Sequence, residues 1–301
     1  MSHFTLKLNS DQFMVIQKYY QKELQTQSNS KTIAFFVKSD KNMITVYRNG
    51  TLLVQGSDAF SKILFLQKLL QTKPLNEKKN TKSYYLESIG SDEVGTGDVF
   101  GPIIVCSVYI PPQNITFFQK KIFLSESKQM LDKNIIQTVP LIMDKVIKTI
   151  VTLKPSKYNK LIVNNNLNKI KALMHNLSIL QTVEKINKAV PVILDQFCLP
   201  KLYFNYLKDE TSVYQKINFQ TKADSNYLSV AVASLIARYY FLKKMNQLNH
   251  QLDCKLYLGA GERVDRQIAS IVEKHGNSIL KNIAKCNFKN ITHKFQKYLT
   301  K

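Results

Sequence analysis

Residues 90–102, Gly-Ser-Asp-Glu-Val-Gly-Thr-Gly-Asp-Val-Phe-Gly-Pro, place three acids and four glycines between two apolar runs, and the adjacent Asp92 and Glu93 are the groups there that could do chemistry. In a strand, alternation would turn one of the two toward the core, where a carboxylate needs a partner. A metal ion would satisfy both; a solvated turn with both acids facing water is the competing reading. Glycine at this density predicts a tight turn where backbone approaches a ligand, because residues without Cβ leave room and accept positive φ.

Two further acids extend the set. The run Val190 to Leu194 reads as a buried strand ending directly in Asp195, and functional groups collect where strands of open α/β sheets end. Taken alone, Asp195 serves equally well as a cap on the following turn. Asp224 and Ser225 stand at the start of a helix expected over Tyr227 to Leu242; both types favour an N-cap, and the helix dipole there stabilises an anion. Asp92, Glu93, Asp195 and Asp224 thus sit at turns or element ends of a chain with no Cys/His metal pattern. Oxygen-only ligands suit Mg²⁺ or Mn²⁺, and two such ions about 4 Å apart are the usual machinery for in-line attack of water on a phosphodiester. Clustered carboxylates repel one another without cations, so such a site is metal-dependent.

Composition points to the same class of substrate. The 301 residues hold 43 Lys+Arg against 21 Asp+Glu, a net charge of +22. That excess favours polyanions, with phosphate backbones ahead of an anionic membrane because no basic amphipathic helix or lipidation motif is present. A lysine-rich proteome is the bland alternative. Hydrophobic residues at 44% and charged residues at 21% indicate a folded chain rather than a disordered one. Cys106, Cys198, Cys254 and Cys286 are scattered, which argues against a zinc ribbon or disulfide framework and for free thiols in a reducing cytosol. Apolar runs are broken by Pro102, Pro111 or Arg238 short of a membrane span, so the expectation is a soluble cytoplasmic protein.

The elements that must position the acids fall into two groups. Residues 1–70 read as a small α+β unit: a helical pattern over Asp11 to Leu24, strands over Thr32 to Lys38, Met43 to Arg48 and Thr51 to Gln55, and a helix over Ser57 to Leu70. Asn49-Gly50 predicts a type I′ hairpin turn. Residues 71–83, with Pro74, Lys73, Lys78, Lys79 and Lys82, have the composition of a linker. From residue 84 a β-rich run, Tyr84 to Ile89, leads into the glycine turn and the strand Ile103 to Ile110 leads out. A helix over Asp132 to Ile147, a strand over Thr149 to Leu153, a helix over Asn166 to His175 and a strand over Tyr214 to Phe219 follow. Arg238, on an otherwise apolar helix, should meet a carboxylate or phosphate. The tail holds a helix over Val264 to Lys274 stopped by Gly276, and the basic end, Lys285 to Lys301, reads as a phosphate-facing or solvated surface.

These residues together resemble the type 2 ribonucleases H, specifically the ribonuclease HIII branch. The resemblance is carried by Gly90 to Pro102, Glu126-Ser127-Lys128, Tyr158-Asn159 with Asn165-Asn166-Leu167-Asn168, Asp195-Gln196-Phe197, Thr221-Lys222-Ala223-Asp224-Ser225 with Ala233 to Arg238, and Gly259-Ala260-Gly261. It spans residues 84 to about 290 and is specific as an ordered combination. Thr96 stands where the sister ribonuclease HII family has arginine in Gly-Arg-Gly, and a C-terminal Gly-Tyr-Pro-Thr stretch is absent, which selects the branch. The resemblance implies a ribonuclease H-like fold, a mixed five-stranded sheet flanked by helices, with Asp92, Glu93, Asp195 and Asp224 as catalytic metal ligands. It implies hydrolysis of the RNA strand of RNA/DNA hybrids to 5′-phosphate and 3′-hydroxyl ends. Gly95, Thr96 and Gly97 would then offer backbone groups to a 2′-OH, the mark of RNA, and Lys128 would contact the substrate backbone near the cut. Glu126 replaces the family's aspartate and is not counted as catalytic. The N-terminal unit is similar to the substrate-binding domain of ribonuclease HIII, which looks like half of a TATA-box-binding protein; Lys38, Lys41, Tyr47 and Arg48 are its candidate contacts. No obligate protein partner is implied, and a monomer is expected. Incision at single ribonucleotides in duplex DNA and non-catalytic nucleic-acid binding are the alternative functions.

Overall fold

The computed structural model describes residues 2–25, 30, 32–39, 41–70, 84–120 and 132–295, and the chain divides into two compact units, Met1–Lys79 and Asn80–Lys301. The stretch 71–83 and the Glu126-Ser127-Lys128 motif lie outside the described residues.

In the first unit, strands β1 (Ser2–Lys7), β2 (Ile33–Lys38), β3 (Asn42–Tyr47) and β4 (Thr51–Gly56) form an antiparallel sheet of order β1-β4-β3-β2. Helices α1 (Ser10–Tyr19) and α2 (Ala59–Leu69) share one core with it. Alternation explains the sidedness: Phe35, Val37, Ile44, Val46, Leu52 and Val54 are buried in that core, as are Ile16, Ile63 and Leu66 of the helices. Strand β1 is absent from the sequence reading above, although Phe4, Leu6 and Leu8 alternate with Thr5 and Lys7 as a half-buried strand should. The hairpin between β3 and β4 also differs from expectation. Gly50 has φ +81 but Asn49 is not among the positive-φ residues, and the Gly50 amide donates to the Tyr47 carbonyl at 2.9 Å. One left-handed glycine closing a tight turn replaces the two positive φ values of type I′.

The second unit is built on a five-stranded mixed sheet, order β7-β6-β5-β8-β9. Its strands are β5 (Ile89–Val94), β6 (Ile103–Tyr109), β7 (Ile147–Leu153), β8 (Val192–Asp195) and β9 (Ile217–Gln220). Strands β5, β6 and β7 pair antiparallel, while β5, β8 and β9 pair parallel. Every residue of β6 is buried because a helix covers each face. Ile104, Cys106 and Val108 face the long helix Leu228–Leu252; Ile103 and Val105 face the helix Leu167–Ile186. Full burial of such side chains is worth about 1.5–3 kcal/mol each, so this strand anchors the core beside the central strand β5.

The remaining helices, in chain order, are α3 (Pro112–Lys120), α4 (Asp132–Thr138), α5 (Pro155–Leu161), α6 (Leu167–Ile186), α7 (Pro200–Tyr206), α8 (Ala223–Asn226), α9 (Leu228–Leu252), α10 (Glu262–His275), α11 (Leu280–Ile283) and α12 (Lys289–Phe295). Three depart from expectation for identifiable reasons. The helix expected to reach Ile147 stops at Thr138, because Pro140 converts the next turn to a 3-10 segment, Val139–Ile142. Helix α6 runs eleven residues past the expected His175 to Ile186 and ends on Asn187 at φ +46; buried His175, Asn176, Ser178 and Thr182 break the apolar pattern that would have revealed it. Helix α9 likewise continues past Leu242, to Leu252. The stop at Gly276 is as expected, with φ +74 and its amide on the Val272 carbonyl. No described helix is long and apolar enough to cross a membrane.

Candidate active site

Asp92 and Glu93 are strand residues, not turn residues. Strand β5 runs on through Val94, and the turn starts at Gly95 with φ +94. The first glycine of the motif has a different job. A Cβ on Gly90 would lie 2.2 Å from the Val230 amide nitrogen, so glycine lets α9 press directly on β5. Gly95 combines its positive φ with a position where a Cβ would meet the Pro102 carbonyl oxygen at 2.2 Å.

Adjacent strand residues point to opposite faces, and the two acids meet opposite surroundings. Asp92 pairs with Cys106 and lies on the α9 face. Its carboxylate takes a hydrogen bond from the Ser234 side chain of α9 and another, at 2.8 Å, from the Glu93 amide. Glu93 pairs with Val105 and faces α6, where Lys171 forms an ion pair with Oε1 and His175 Nε2 lies 3.0 Å from Oε2.

The parallel register supplies the third acid. Ile89, Gly90 and Ser91 pair with Val192, Ile193 and Leu194, so one step further Asp92 and Asp195 stand abreast, on strands separated by about 4.8 Å. Asp195 Oδ1 accepts the Ala223 amide at 2.9 Å, which ties the end of β8 to α8. Asp224 is the next residue, 3% exposed. The N-cap role open to Asp224 in the sequence is not the one found, since helix α9 starts at the N-cap Tyr227 without a side-chain cap. Lys222, left-handed at φ 55, makes the tight turn that carries the chain from β9 into α8.

Electrostatics follow from this crowding. Burial pushes the Asp92 carboxyl up to about 8, and the charges of Glu93 and Asp195 push the same way against the Ser234 hydrogen bond. Burial also acts to raise Glu93, but His175 and Lys171 outweigh it and hold that carboxyl below its ordinary value. Among the described residues no three His, Cys, Asp or Glu side chains converge on one point as a ready metal cage. What the fold provides is three interacting carboxylates, on β5 and at the end of β8, with Asp224 one residue beyond the amide that Asp195 holds. That donor set, oxygen-only and with the charges of Glu93 and Asp195 crowding Asp92, fits a hard divalent cation.

The loop after β5 is held from its far side. Asp98 Oδ1 accepts the Gly259 amide at 2.6 Å, and the Val99 amide donates to the Gly259 carbonyl at 3.0 Å. Phe100 bridges to Ala284, and Lys285 Nζ donates to the Gly101 carbonyl at 2.6 Å. Lys285 is fully buried, which corrects the reading of the basic end as a surface from Lys285 onward. Asn159 fastens the same segment, donating to the Lys281 and Ala284 carbonyls and accepting the Cys286 amide. At the front of the loop Thr96 is half-buried and Gly97 exposed, and a Cβ on Gly97 would meet nothing within 4 Å.

Of the other expected site residues, Lys38 and Tyr47 share the sheet face of the first unit turned away from its core, since Val37 and Val46 point inward. Lys38 is exposed, Tyr47 half-buried, and Arg48 exposed in the turn that follows β3. Lys128 lies outside the described residues. Arg238 meets the carboxylate of Asp132, with Nε and one terminal nitrogen each 3.1 Å from an oxygen. Sequence reasoning missed Lys171, His175 and Lys285. The spacing of Lys171 and His175, four apart before a helix-breaking Asn187, was the available signal for the first two.

Comparison with known proteins adds an independent line. The family model described as ribonuclease HII matches residues 89–291, and one described as a domain of unknown function (DUF3378) matches residues 3–82. The chain is 44% identical over 299 residues to a ribonuclease HIII of Phytoplasma mali, covering 99% of this chain and 100% of the relative. It is 33% identical to one of Bacillus pumilus at 99% and 100% coverage. The crystal structure of Bst-RNase HIII in complex with Mn²⁺ superposes with a TM-score of 0.68 at 31% identity, covering 99% of this chain and 98% of that one.

Proposed function

The chain belongs to the ribonuclease HIII family, and from that premise we propose that it is an endoribonuclease that hydrolyses the RNA strand of RNA/DNA hybrids, leaving 5′-phosphate and 3′-hydroxyl ends. The observation that carries the reading is the level placement of Asp92 and Asp195 on neighbouring parallel strands, with Asp92 pushed up to about 8 by burial and by the Glu93 and Asp195 charges. Asp92, Glu93, Asp195 and Asp224 would hold two divalent ions, Mg²⁺ or Mn²⁺. Such ions, when bound, acidify the attacking water and stabilise the leaving 3′ oxygen.

The protein's own groups do the rest. The Ser234 side chain and the Glu93 amide orient Asp92, and the Ala223 amide orients Asp195, so the carboxylates are placed before substrate arrives. The loop Gly95-Thr96-Gly97 presents backbone to the ribose 2′-OH. Open space at Gly97 supports this, because nothing within the protein itself demands a residue without Cβ there. Lys128 contacts the substrate backbone near the cut. Residues 1–70 form a substrate-binding domain whose open sheet face, with Lys38 and Tyr47, and whose Arg48 turn meet the duplex; residues 71–83 link it to a catalytic domain of residues 84–301. The net charge of +22 supplies the general attraction to phosphate. The enzyme acts as a cytoplasmic monomer.

Cleavage of a uniformly labelled RNA/DNA hybrid, with and without Mg²⁺, tests the assignment. Asp92→Asn abolishes product while hybrid binding stays within about threefold of wild type, a contrast that separates chemistry from charge-driven binding; undiminished turnover would remove the assignment. A DNA duplex with one embedded ribonucleotide, cut in parallel, distinguishes hybrid cleavage from incision at single ribonucleotides. Salt-sensitive binding without any Mg²⁺-dependent product would identify a binding protein instead.

A further inference from the structure

Both carboxylate oxygens of Glu93 are engaged by side chains of one helix. Lys171 and His175, one turn apart on α6, take its two oxygens: Lys171 Nζ pairs with Oε1, and His175 Nε2 lies 3.0 Å from Oε2. Behind His175 the hydrogen bonds run in one direction. Ser107 Oγ donates to Ser91 Oγ at 2.9 Å, and Ser91 Oγ lies 2.8 Å from His175 Nδ1. Ser91 can therefore donate to Nδ1, which leaves Nε2 to carry the hydrogen that reaches Glu93. His175 is fully buried, and Phe197 stacks on it with ring centroids 5.4 Å apart at 23°. This chain and the stacked ring fix the imidazole that orients Glu93.

Lys171 is a different kind of partner. It brings a full positive charge to the same carboxylate, is 7% exposed, and its Nζ also lies 4.0 Å from the centre of the Phe197 ring. The ring face offers the ammonium a second favourable seat beside the first. A divalent ion approaching Glu93 meets a cation already in contact with it.

We propose that Lys171 is an internal counter-cation which a divalent ion has to displace from Glu93, while His175 is the positioning residue that keeps the carboxylate in place during the exchange. This rests on the reading of Glu93 as a metal ligand. The two residues consequently act with opposite signs. Loss of the Lys171 charge tightens ion binding by about threefold to tenfold, the scale of one partly screened charge at this range. Loss of the His175 hydrogen bond weakens it by about tenfold, the scale of a lost outer-shell contact to a ligand.

Calorimetric titration of Mn²⁺ into the full chain, without nucleic acid, reads this directly. Lys171→Met lowers the Kd, Lys171→Arg restores it to within about twofold of wild type by keeping a charge at the site, and His175→Gln raises it. Lys171→Gln, which keeps a donor toward Glu93 without the charge, follows Lys171→Met and serves if the methionine variant does not fold. An unchanged or higher Kd in the folded neutral variants would overturn the proposal, because a merely structural lysine weakens the site when removed. Wild type that binds no Mn²⁺, or Asp92→Asn that binds it unchanged, would overturn the metal-site reading itself. Wild-type binding that is lost in Asp92→Asn but indifferent to Lys171 sinks this inference alone.

Discussion

Replacing Lys285 by methionine tests how the loop after β5 is anchored. The side chain is fully buried, and burial pulls its ammonium from the ordinary 10.5 down to about 7, with Asp98 acting weakly in the other direction. Between those two pH values the unfolded chain carries a proton that the folded chain has shed. Stability from this group is therefore complete above about 10.5 and is lost as pH falls toward about 7. The slope is about 1.4 kcal/mol per pH unit, so from pH 7 to 9.5 the wild type gains about 3 kcal/mol that Lys285→Met cannot gain. Lost hydrogen bonds to the Phe100 and Gly101 carbonyls add an offset of about 1–3 kcal/mol that does not vary with pH. Urea unfolding of both full chains at intervals from pH 6.5 to 9.5, at constant ionic strength, gives the difference curve. Every other titrating group cancels in it. A difference that stays flat within about 0.5 kcal/mol would refute the burial argument, since no lysine with a lowered folded-state pKa could then be present.

The two glycines of the loop separate folding from substrate reading. Gly95→Ala strains a φ of +94 and drives a Cβ toward the Pro102 carbonyl, costing on the order of 2–4 kcal/mol in thermal or urea melts. Gly97→Ala leaves stability within about 0.5 kcal/mol but lowers hybrid cleavage; equal turnover with wild type would remove Gly97 from the 2′-OH contact. Deleting residues 1–70 raises KM for the hybrid at least about tenfold while kcat at saturation changes little, and an unchanged KM would refute a substrate-binding role for the first unit.

Much of the fold lay open in the pattern of the chain. Residues 103–109 announce a strand buried on both faces because nearly every one is apolar, and Gly276 announces a helix stop because few other residues accept its φ. Type and context single out the four acids as candidates. Their roles in the architecture were not legible: whether Asp92 and Glu93 belong to a turn or a strand depends on where β5 ends, and Gly90 could signal either a turn or close packing. Only the contact with Val230 distinguishes them. Polar residues buried by pairing were the least visible, because Lys171, His175 and Lys285 each look like surface residues until a partner is in place.

The sequence by itself determined local matters: the period of each element, the breakers between elements, the excess of positive charge, and the presence of carboxylates without soft metal ligands. Tertiary structure decided which of these groups meet. Asp92 and Asp195, more than a hundred positions apart, come level through the parallel register of β5 and β8, and Glu93 turns to the opposite face to meet α6. Register and sidedness are settled by the burial of whole strands against helices, an energy summed over many residues, so no single stretch of chain contains the information.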